Sequence, residues 1–316
     1  MSQQHVRTNL TTRAIALLIV VAFVSLFPAL MKHAGTRAQA PPNKQAVEQT
    51  VIGAKCRQCH KEIVQSFALD VHGKSAKFLT DSRATSCESC HGDGAKHIES
   101  LEAKDIINPP RLTTAEANES CLKCHAREQK RDAWRGGPHD RKDMSCLSCH
   151  SAHHSKSPET MLARLTVEET CLSCHKEKQK TFFQRSTHLF RTENRAMKVG
   201  CASCHNPHGG EGRNMLQAHT TNNLCYQCHA EKRGPLLWEH APVQENCLTC
   251  HTPHGSNNVK LLTTRSHQLC QQCHVNLLSR HQTVAGFDVF TFNRGCVNCH
   301  TQIHGSNHPA GRAFTR

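Results

Sequence analysis

The chain has 316 residues, of which 20 are cysteine, 26 are histidine and only 4% are aromatic. Its mean hydropathy is -0.56, so the chain lacks the apolar side chains for an ordinary core, and a domain stabilised by its own apolar packing is excluded. The formal net charge is +14, but no recognisable nucleic-acid-reading motif accompanies it, which argues against nucleic acid as a partner.

The N-terminal segment has the layout of a secretory signal. Arg7 and Arg13 precede an uncharged run over residues 14–30, and small residues end at Ala40. We therefore expect residues 1–40 to be a signal peptide and residues 41–316 to be the exported domain. Pro41 disfavours cleavage directly after Ala40, so cleavage at a neighbouring bond and retention of the segment as an anchor both stay open.

Ten Cys-x-x-Cys-His motifs follow and use all 20 cysteines. Zinc half-sites and disulfide frameworks also contain cysteine pairs, but neither requires a histidine directly after the second cysteine. The pattern is the attachment signature of haem c, in which two thioethers hold the macrocycle and the histidine is the proximal iron ligand. It predicts ten covalently bound haems c, each with one iron. The attachment cysteines are Cys56, Cys59, Cys87, Cys90, Cys121, Cys124, Cys146, Cys149, Cys171, Cys174, Cys201, Cys204, Cys225, Cys228, Cys247, Cys250, Cys270, Cys273, Cys296 and Cys299. The proximal histidines are His60, His91, His125, His150, His175, His205, His229, His251, His274 and His300.

The motifs pair into five two-haem repeats. Their approximate bounds are 51–112, 113–164, 165–216, 217–262 and 263–316. Thr113 with Glu116, and Thr166 with Glu169, have the spacing of a capping box before a motif, which predicts a short helix that carries the haem site. Gly, Pro and Asn residues interrupt the segments between the motifs, which indicates coil with almost no β-sheet. The predicted fold class is therefore an elongated multihaem cytochrome c with little regular secondary structure, in which short α-helices and coil wrap around ten haems.

Ten further histidines recur in register with the repeats and are the predicted distal ligands. One lies between the two motifs of each repeat: His72, His139, His188, His240 and His281. Another follows each second motif: His97, His153, His208, His254 and His304. His97 and His281 depart most from the common spacing, and His308 is the alternative for a weak ligand. His154, His219 and His267 fall outside the pattern.

Chain reach limits which iron each distal histidine can serve. His153, His208 and His254 lie three residues after a proximal histidine, a span of at most about 10 Å. Such a span cannot pass around a porphyrin edge to the opposite face of the same haem. Each of the three should therefore ligate a different haem, which ties neighbouring haems together.

Methionine does not compete as an axial ligand in this interpretation. Met144, Met161, Met197 and Met215 follow the signal segment, and none recurs in register with the repeats. Two histidines per iron give low potentials and leave no open position for a substrate, which predicts electron transfer rather than catalysis.

Five short segments carry a resemblance to a known family. They are EKRGPLLWEHAPV at residues 231–243, NPHG at Asn206, TPHGS at Thr252, LCQQCH at Leu269 and HGSNHP at His304. With the ten motifs, they resemble the periplasmic decahaem cytochromes of the MtrA/DmsE family, and the likeness runs from Cys56 to the C-terminus. The resemblance carries the family's haem sites onto the ten motifs and its distal ligands onto the recurring histidines.

The resemblance implies a periplasmic protein associated with the outer membrane. Its implied partners are an outer-membrane β-barrel of MtrB type, a periplasmic or inner-membrane electron donor or acceptor, and an extracellular cytochrome or terminal reductase. Relatives serve extracellular respiration of metals or sulfoxides, or iron oxidation, so the direction of electron flow stays open. A soluble periplasmic electron reservoir would lack the barrel, and a multihaem reductase would need an iron with an exchangeable sixth position.

Overall fold

The computed structural model describes residues 54–76, 86–157, 159–188, 199–276, 281 and 295–315. They all belong to one structural unit, residues 50–316. The predicted signal peptide, residues 1–40, lies outside the described residues. Across the described ranges, no helix has both the length and the apolar character needed to cross a membrane.

Short helices and coil make up the described chain, as the sequence predicts. The α-helices are α1 Ala54–Arg57, α2 Lys61–Phe67, α3 Val71–Ala76, α4 Cys87–His91, α5 Ala95–Ser100, α6 Thr114–His125, α7 Val167–Leu172, α8 Lys176–Gln179, α9 Thr221–Tyr226, α10 Ala241–Glu245 and α11 Ser266–Gln271. Turns of 3₁₀ helix occupy Ala103–Asp105, Pro109–Arg111, Asp140–Lys142, Cys146–Ser148, Lys180–Phe183, Cys201–Ser203, Arg213–Met215, Ala230–Lys232, Cys247–Thr249, Val259–Leu261, Cys296–Asn298 and Gly311–Ala313. Strand pairing in these residues is limited to isolated bridges, for example between His150 and Leu162.

The two motifs of a repeat start from different local structures. In repeats 2 to 5 the first motif begins in an α-helix, and the second motif begins with a 3₁₀ turn. The capping prediction is confirmed at α6, where Thr113 Oγ1 accepts from the Glu116 amide at 3.4 Å and Glu116 Oε2 accepts from the Thr113 amide at 3.0 Å. At α7, Thr166 Oγ1 accepts from the Glu169 amide at 3.0 Å. Each cap fixes the start of the helix on which the first cysteine of the motif lies.

The protein part supplies little apolar core of its own. The buried apolar residues within the described ranges are Val64, Ala117, Leu122, Trp134, Leu162 and Ala218. No side chain there is fully buried. This agrees with the composition, because a chain of this length needs another apolar body to fold around.

Candidate haem-binding sites

Each motif histidine faces the ring of one other histidine. The centroid distances are His60 to His97 6.2 Å, His91 to His153 5.7 Å, His125 to His72 5.8 Å, His150 to His208 5.9 Å, His175 to His139 6.3 Å, His205 to His254 6.0 Å, His229 to His188 6.2 Å, His251 to His304 6.2 Å, His274 to His240 6.2 Å and His300 to His281 6.1 Å. Two imidazoles on one metal, with bonds of about 2 Å, place their centroids about 6 Å apart. The spacing therefore fits a metal ion between the rings.

The partner of each motif histidine is one of the ten recurring histidines, including His97 and His281. His308 does not replace either of them, because His97 lies opposite His60 and His281 lies opposite His300, while His308 Nδ1 accepts from the Ala310 amide at 3.1 Å. The histidines outside the pattern make other contacts, as His219 Nε2 does with Glu211 Oε2 at 3.4 Å.

Consecutive repeats exchange histidines reciprocally. The histidine between the motifs of one repeat faces the first motif of the next repeat, as His188 faces His229. The histidine after the second motif faces the second motif of the preceding repeat, as His254 faces His205. As chain reach predicts, His153, His208 and His254 do not face their own motif. At the two ends no further repeat is available, and His97 and His281 face motifs of their own repeat.

The second motif of each repeat and the histidine that follows it share one closed loop. In repeats 2 to 5 the proximal histidine's Nδ1 meets a backbone carbonyl at the loop end: His150 with Thr160 at 3.0 Å, His205 with Asn214 at 2.9 Å, His251 with Lys260 at 2.9 Å and His300 with Ala313 at 2.5 Å. We call residues 150–162, 205–216, 251–262 and 300–314 the distal loops. Each distal loop contains one distal candidate, so closing the loop positions both the proximal histidine and that candidate.

The methionines correct one part of the sequence analysis. Met161 and Met215 do occupy equivalent places, at the ends of two distal loops. Both have a positive φ, which is 54° for Met161 and 57° for Met215. Their carbonyls accept from the Ser151 and Asn206 amides, both at 2.8 Å. Leu261 holds the same place in the next loop, with its carbonyl 2.8 Å from the Thr252 amide. The two methionines therefore recur because their backbone carbonyls close the distal loops. The sequence does not reveal this role, because a leucine, Leu261, holds the same position in the next loop.

The hydrogen bonds leave one ring nitrogen free to bind a metal. When Nδ1–H donates to a carbonyl, the imidazole is held as the tautomer that has its lone pair on Nε2. At the first motifs the acceptor is a carboxylate in one clear case, since His125 Nδ1 lies 2.5 Å from Glu128 Oε1. The arrangement is the one that metal-binding histidines use to fix their orientation.

Burial favours the neutral form of eight of the paired imidazoles. It lowers the pKa of His208 to about 4, with further lowering by the charges of His150 and Arg131. Burial also lowers the pKa of other paired histidines: His72, His125, His150, His153, His240, His254 and His304. A neutral imidazole is the form that ligates a metal.

Cysteines of consecutive motifs are neighbours along the whole series. Within repeats the first cysteines of the two motifs lie near enough to interact electrostatically: Cys56 with Cys87, Cys121 with Cys146, Cys171 with Cys201, Cys225 with Cys247 and Cys270 with Cys296. Between repeats the second cysteine of the second motif interacts in the same way with the next motif: Cys90 with Cys121 and Cys124, Cys149 with Cys174, Cys204 with Cys228 and Cys250 with Cys273. These thiols stand for the thioether sulfurs of haem c. The order of these neighbouring cysteines follows the order of the motifs.

Four joints connect consecutive repeats. We define a joint as the contact between the segment before a between-motif histidine and the distal loop of the next repeat. At the third joint the Ser186 amide donates to the Ser256 carbonyl at 2.9 Å and the Ser256 amide returns the bond at 2.8 Å; at the fourth, Trp238 and Ser306 do the same at 2.9 Å each. Each joint thus holds two distal candidates, one for each of the repeats that it connects.

Buried asparagines join the two motifs inside two repeats. Asn118 Oδ1 accepts from the Cys146 amide at 2.8 Å, and Asn222 Oδ1 accepts from the Cys247 amide at 2.8 Å. Asn222 Nδ2 also donates to the Val243 carbonyl at 2.9 Å. The sequence analysis did not identify these residues. The signal was available, because each asparagine lies three residues before the first cysteine of its repeat.

Comparisons with known proteins support a multihaem cytochrome. A family model of the doubled CXXCH motif matches residues 194–234 and 240–278. A second family model, of the c-type cytochrome protein NrfB-like, matches residues 87–168. The multiheme cytochrome MtrA of Shewanella baltica (strain OS185) is 40% identical over 276 residues, which cover 83% of this chain and 80% of that protein.

Proposed function

The chain belongs to the family of the multihaem c-type cytochrome MtrA, and on that premise we propose that it holds ten haems c as an electron conduit. It carries electrons between periplasmic carriers and the cell exterior, through an outer-membrane β-barrel partner. The observation that carries the proposal is the pairing of every motif histidine with one recurring histidine. With haems bound at all ten motifs, that pairing would supply two histidine ligands for each iron.

The ligand set favours electron transfer over substrate chemistry. Haems bound at these sites would take up and release one electron each between the ferric and ferrous states. Two histidines at each iron lower the potential relative to a histidine and methionine pair. They also leave no coordination position for a substrate, whereas a reductase requires one. The fixed tautomers support the same role, because rigid ligands need little rearrangement when the charge at the metal changes.

The order of the attachment sites supports one path through the chain. The neighbouring cysteines run from Cys56 to Cys296 in motif order, and the joints tie each repeat to the next. Both the attachment bonds and the axial ligands therefore hold consecutive sites close together. Closeness without an open coordination position is what stepwise electron transfer requires.

Location and partners are part of the proposal. We assign the mature protein to the periplasm, in association with the outer membrane, because haem c is attached outside the cytoplasmic membrane and residues 1–40 have the layout of an export signal. The proposed partners are a β-barrel of MtrB type, a periplasmic or inner-membrane electron donor or acceptor, and an extracellular cytochrome or terminal reductase. The 40% identity to MtrA over most of both chains supports a common assembly.

The partner is tested by affinity purification of the tagged holoprotein from detergent-solubilised outer membranes. We expect an outer-membrane β-barrel protein to co-purify in a fixed ratio. Proteoliposomes that contain the complex should then oxidise an enclosed reduced dye when a membrane-impermeant acceptor is added outside. Recovery of the cytochrome alone from the soluble periplasmic fraction would support the reservoir alternative and contradict the conduit.

A further inference from the structure

Asp70 is a buried carboxylate at the first joint, between repeats 1 and 2. It is only 3% exposed, and its Oδ1 accepts from Ser155 Oγ at 2.5 Å. Its Oδ2 has no hydrogen-bond partner among the residues that the structure describes. Burying a carboxylate with an unpartnered oxygen is unfavourable unless a positive group lies beside it. The position therefore calls for a cationic neighbour.

The four joints have the same register, which makes them internal controls for one another. Each pairs the residue two before a between-motif histidine with the residue two after a distal-loop histidine. The observed pairs are Asp70 with Ser155, Ser186 with Ser256, and Trp238 with Ser306, and the equivalent positions at the second joint are Gly137 and Gly210. The third and fourth pairs bond through backbone amides and carbonyls, whereas the first bonds through side chains. Asp70 is thus the charged member of a set whose other members at that place are neutral.

Asp70 is tied to both distal candidates of its joint. It precedes His72 by two residues, and its bond to Ser155 holds the chain two residues after His153. Ser66 Oγ donates to the His153 carbonyl and so holds the same distal segment as well. The charge of Arg131 also reaches His72, but Arg131 is ion-paired with Glu128. The uncompensated charge at this joint is therefore the carboxylate.

We propose that Asp70 is a positioning residue for His72 and His153, and that its buried charge lowers the reduction potentials of the two haems attached at Cys87 and Cys121. The inference rests on the proposed function, because it takes those histidines as distal ligands. A ferric bis-histidine haem has a net positive iron core, which offsets the buried carboxylate, and reduction removes that compensation. The haems whose ligands lie at the first joint would thus differ in reduction potential from those at the other three joints.

The test is a potentiometric titration of the holoprotein followed by the α-band absorbance. In Asp70→Asn the amide keeps an acceptor for Ser155 and loses the charge. We expect a full haem complement, with about one fifth of the α-band amplitude moved to higher potential, since two of ten haems respond. Asp70→Ser, which copies the third joint, should give the same shift, and Asp70→Glu should restore the original titration. Asp132→Asn is the control, because it removes one negative charge from an exposed position.

Unchanged titrations of both neutral variants with all haems present would overturn the inference, as would an equal shift in Asp132→Asn. His72→Met separates this failure from failure of the proposed function. If His72→Met raises one potential and the neutral Asp70 variants raise none, only the role of Asp70 is wrong. If His72→Met also changes nothing, the assignment of His72 as a ligand is wrong.

Discussion

His188 Nδ1 lies 3.1 Å from the carbonyl oxygen of Pro253. Pro253 directly precedes His254, so the hydrogen bond donated by one distal candidate fixes the peptide that carries the other. His139 makes the same bond to Pro207 at 2.9 Å, and His240 makes it to Ile303 at 3.1 Å. At three joints, therefore, the proposed ligands of two adjacent haems form one hydrogen-bonded unit. Displacement of one imidazole should therefore disturb the ligation of the neighbouring iron as well as that of its own.

The first prediction concerns haem number and spin state. Ten motifs and ten histidine pairs predict ten haems per chain, all six-coordinate and low-spin. Pyridine haemochrome quantification against protein mass measures the number, and electron paramagnetic resonance of the oxidised protein measures the spin state. A count near eight, or a substantial high-spin signal, would contradict the ligand assignment.

The second prediction concerns the buried asparagine of repeat 4. Asn222→Ala leaves the Cys247 amide and the Val243 carbonyl without their partner, and each unsatisfied buried group costs about 1–3 kcal/mol. We expect a lower thermal midpoint of the holoprotein with the haem number unchanged. The neighbouring exposed residue gives the control, since Asn223→Ala removes a side chain of the same kind from the surface. Equal midpoints for the two variants would show that the Asn222 bonds do not stabilise the repeat.

Much of this arrangement could be predicted from the sequence, because the chemistry of haem attachment constrains it. The Cys-x-x-Cys-His motifs identify the proximal histidines directly, and the fivefold recurrence identifies their partners, including His97 and His281. Chain reach excludes pairing of His153, His208 and His254 with their own motifs. The capping box at Thr113 follows from local spacing, and so does the side-chain cap at Thr166, where Glu169 Oε2 accepts from the Leu165 amide instead of the Thr166 amide. The elongated shape and the assignment of ligands to irons stay predictions.

The rest depends on contacts that a single sequence does not reveal. Which repeat His188 serves is decided by backbone bonds between Ser186 and Ser256, and no residue type marks such bonds. The closure of the distal loops was missed for the same reason, since Met161, Met215 and Leu261 contribute carbonyls rather than side chains. Asp70 gave no signal either, because its burial and its free oxygen exist only once repeat 2 packs against repeat 1.

The third prediction concerns acid stability near His208. Burial lowers its pKa to about 4 in the folded chain, and a bond to iron would also keep its ligating nitrogen unprotonated, whereas an unfolded histidine titrates near 6.5. The unfolded state therefore binds more protons as the pH falls from about 6.5 toward 4, and the free energy of unfolding should decrease across that window. Denaturant titrations of the holoprotein at pH 7, 5.5 and 4.5 measure the decrease. A His219→Ala variant, altered at an exposed histidine, should keep the same pH dependence. Stability that is flat over this range would contradict the prediction.

The last prediction tests the ligand assignment and the function together. His240 faces His274 at 6.2 Å, so His240→Met should place a thioether opposite the proximal ligand of the haem attached at Cys270. Thioether ligation favours the ferrous state and raises the potential of that haem, which then retains electrons in an otherwise low-potential series. We expect ten haems, one raised potential in the redox titration, and slower electron flux across proteoliposomes that contain the cytochrome and its barrel. His267→Met is the matched control, because it adds the same thioether to the same repeat outside the histidine pairs. If His240→Met behaves like this control in both the titration and the flux, His240 is not an axial ligand, and the pairing of the other between-motif histidines loses its basis.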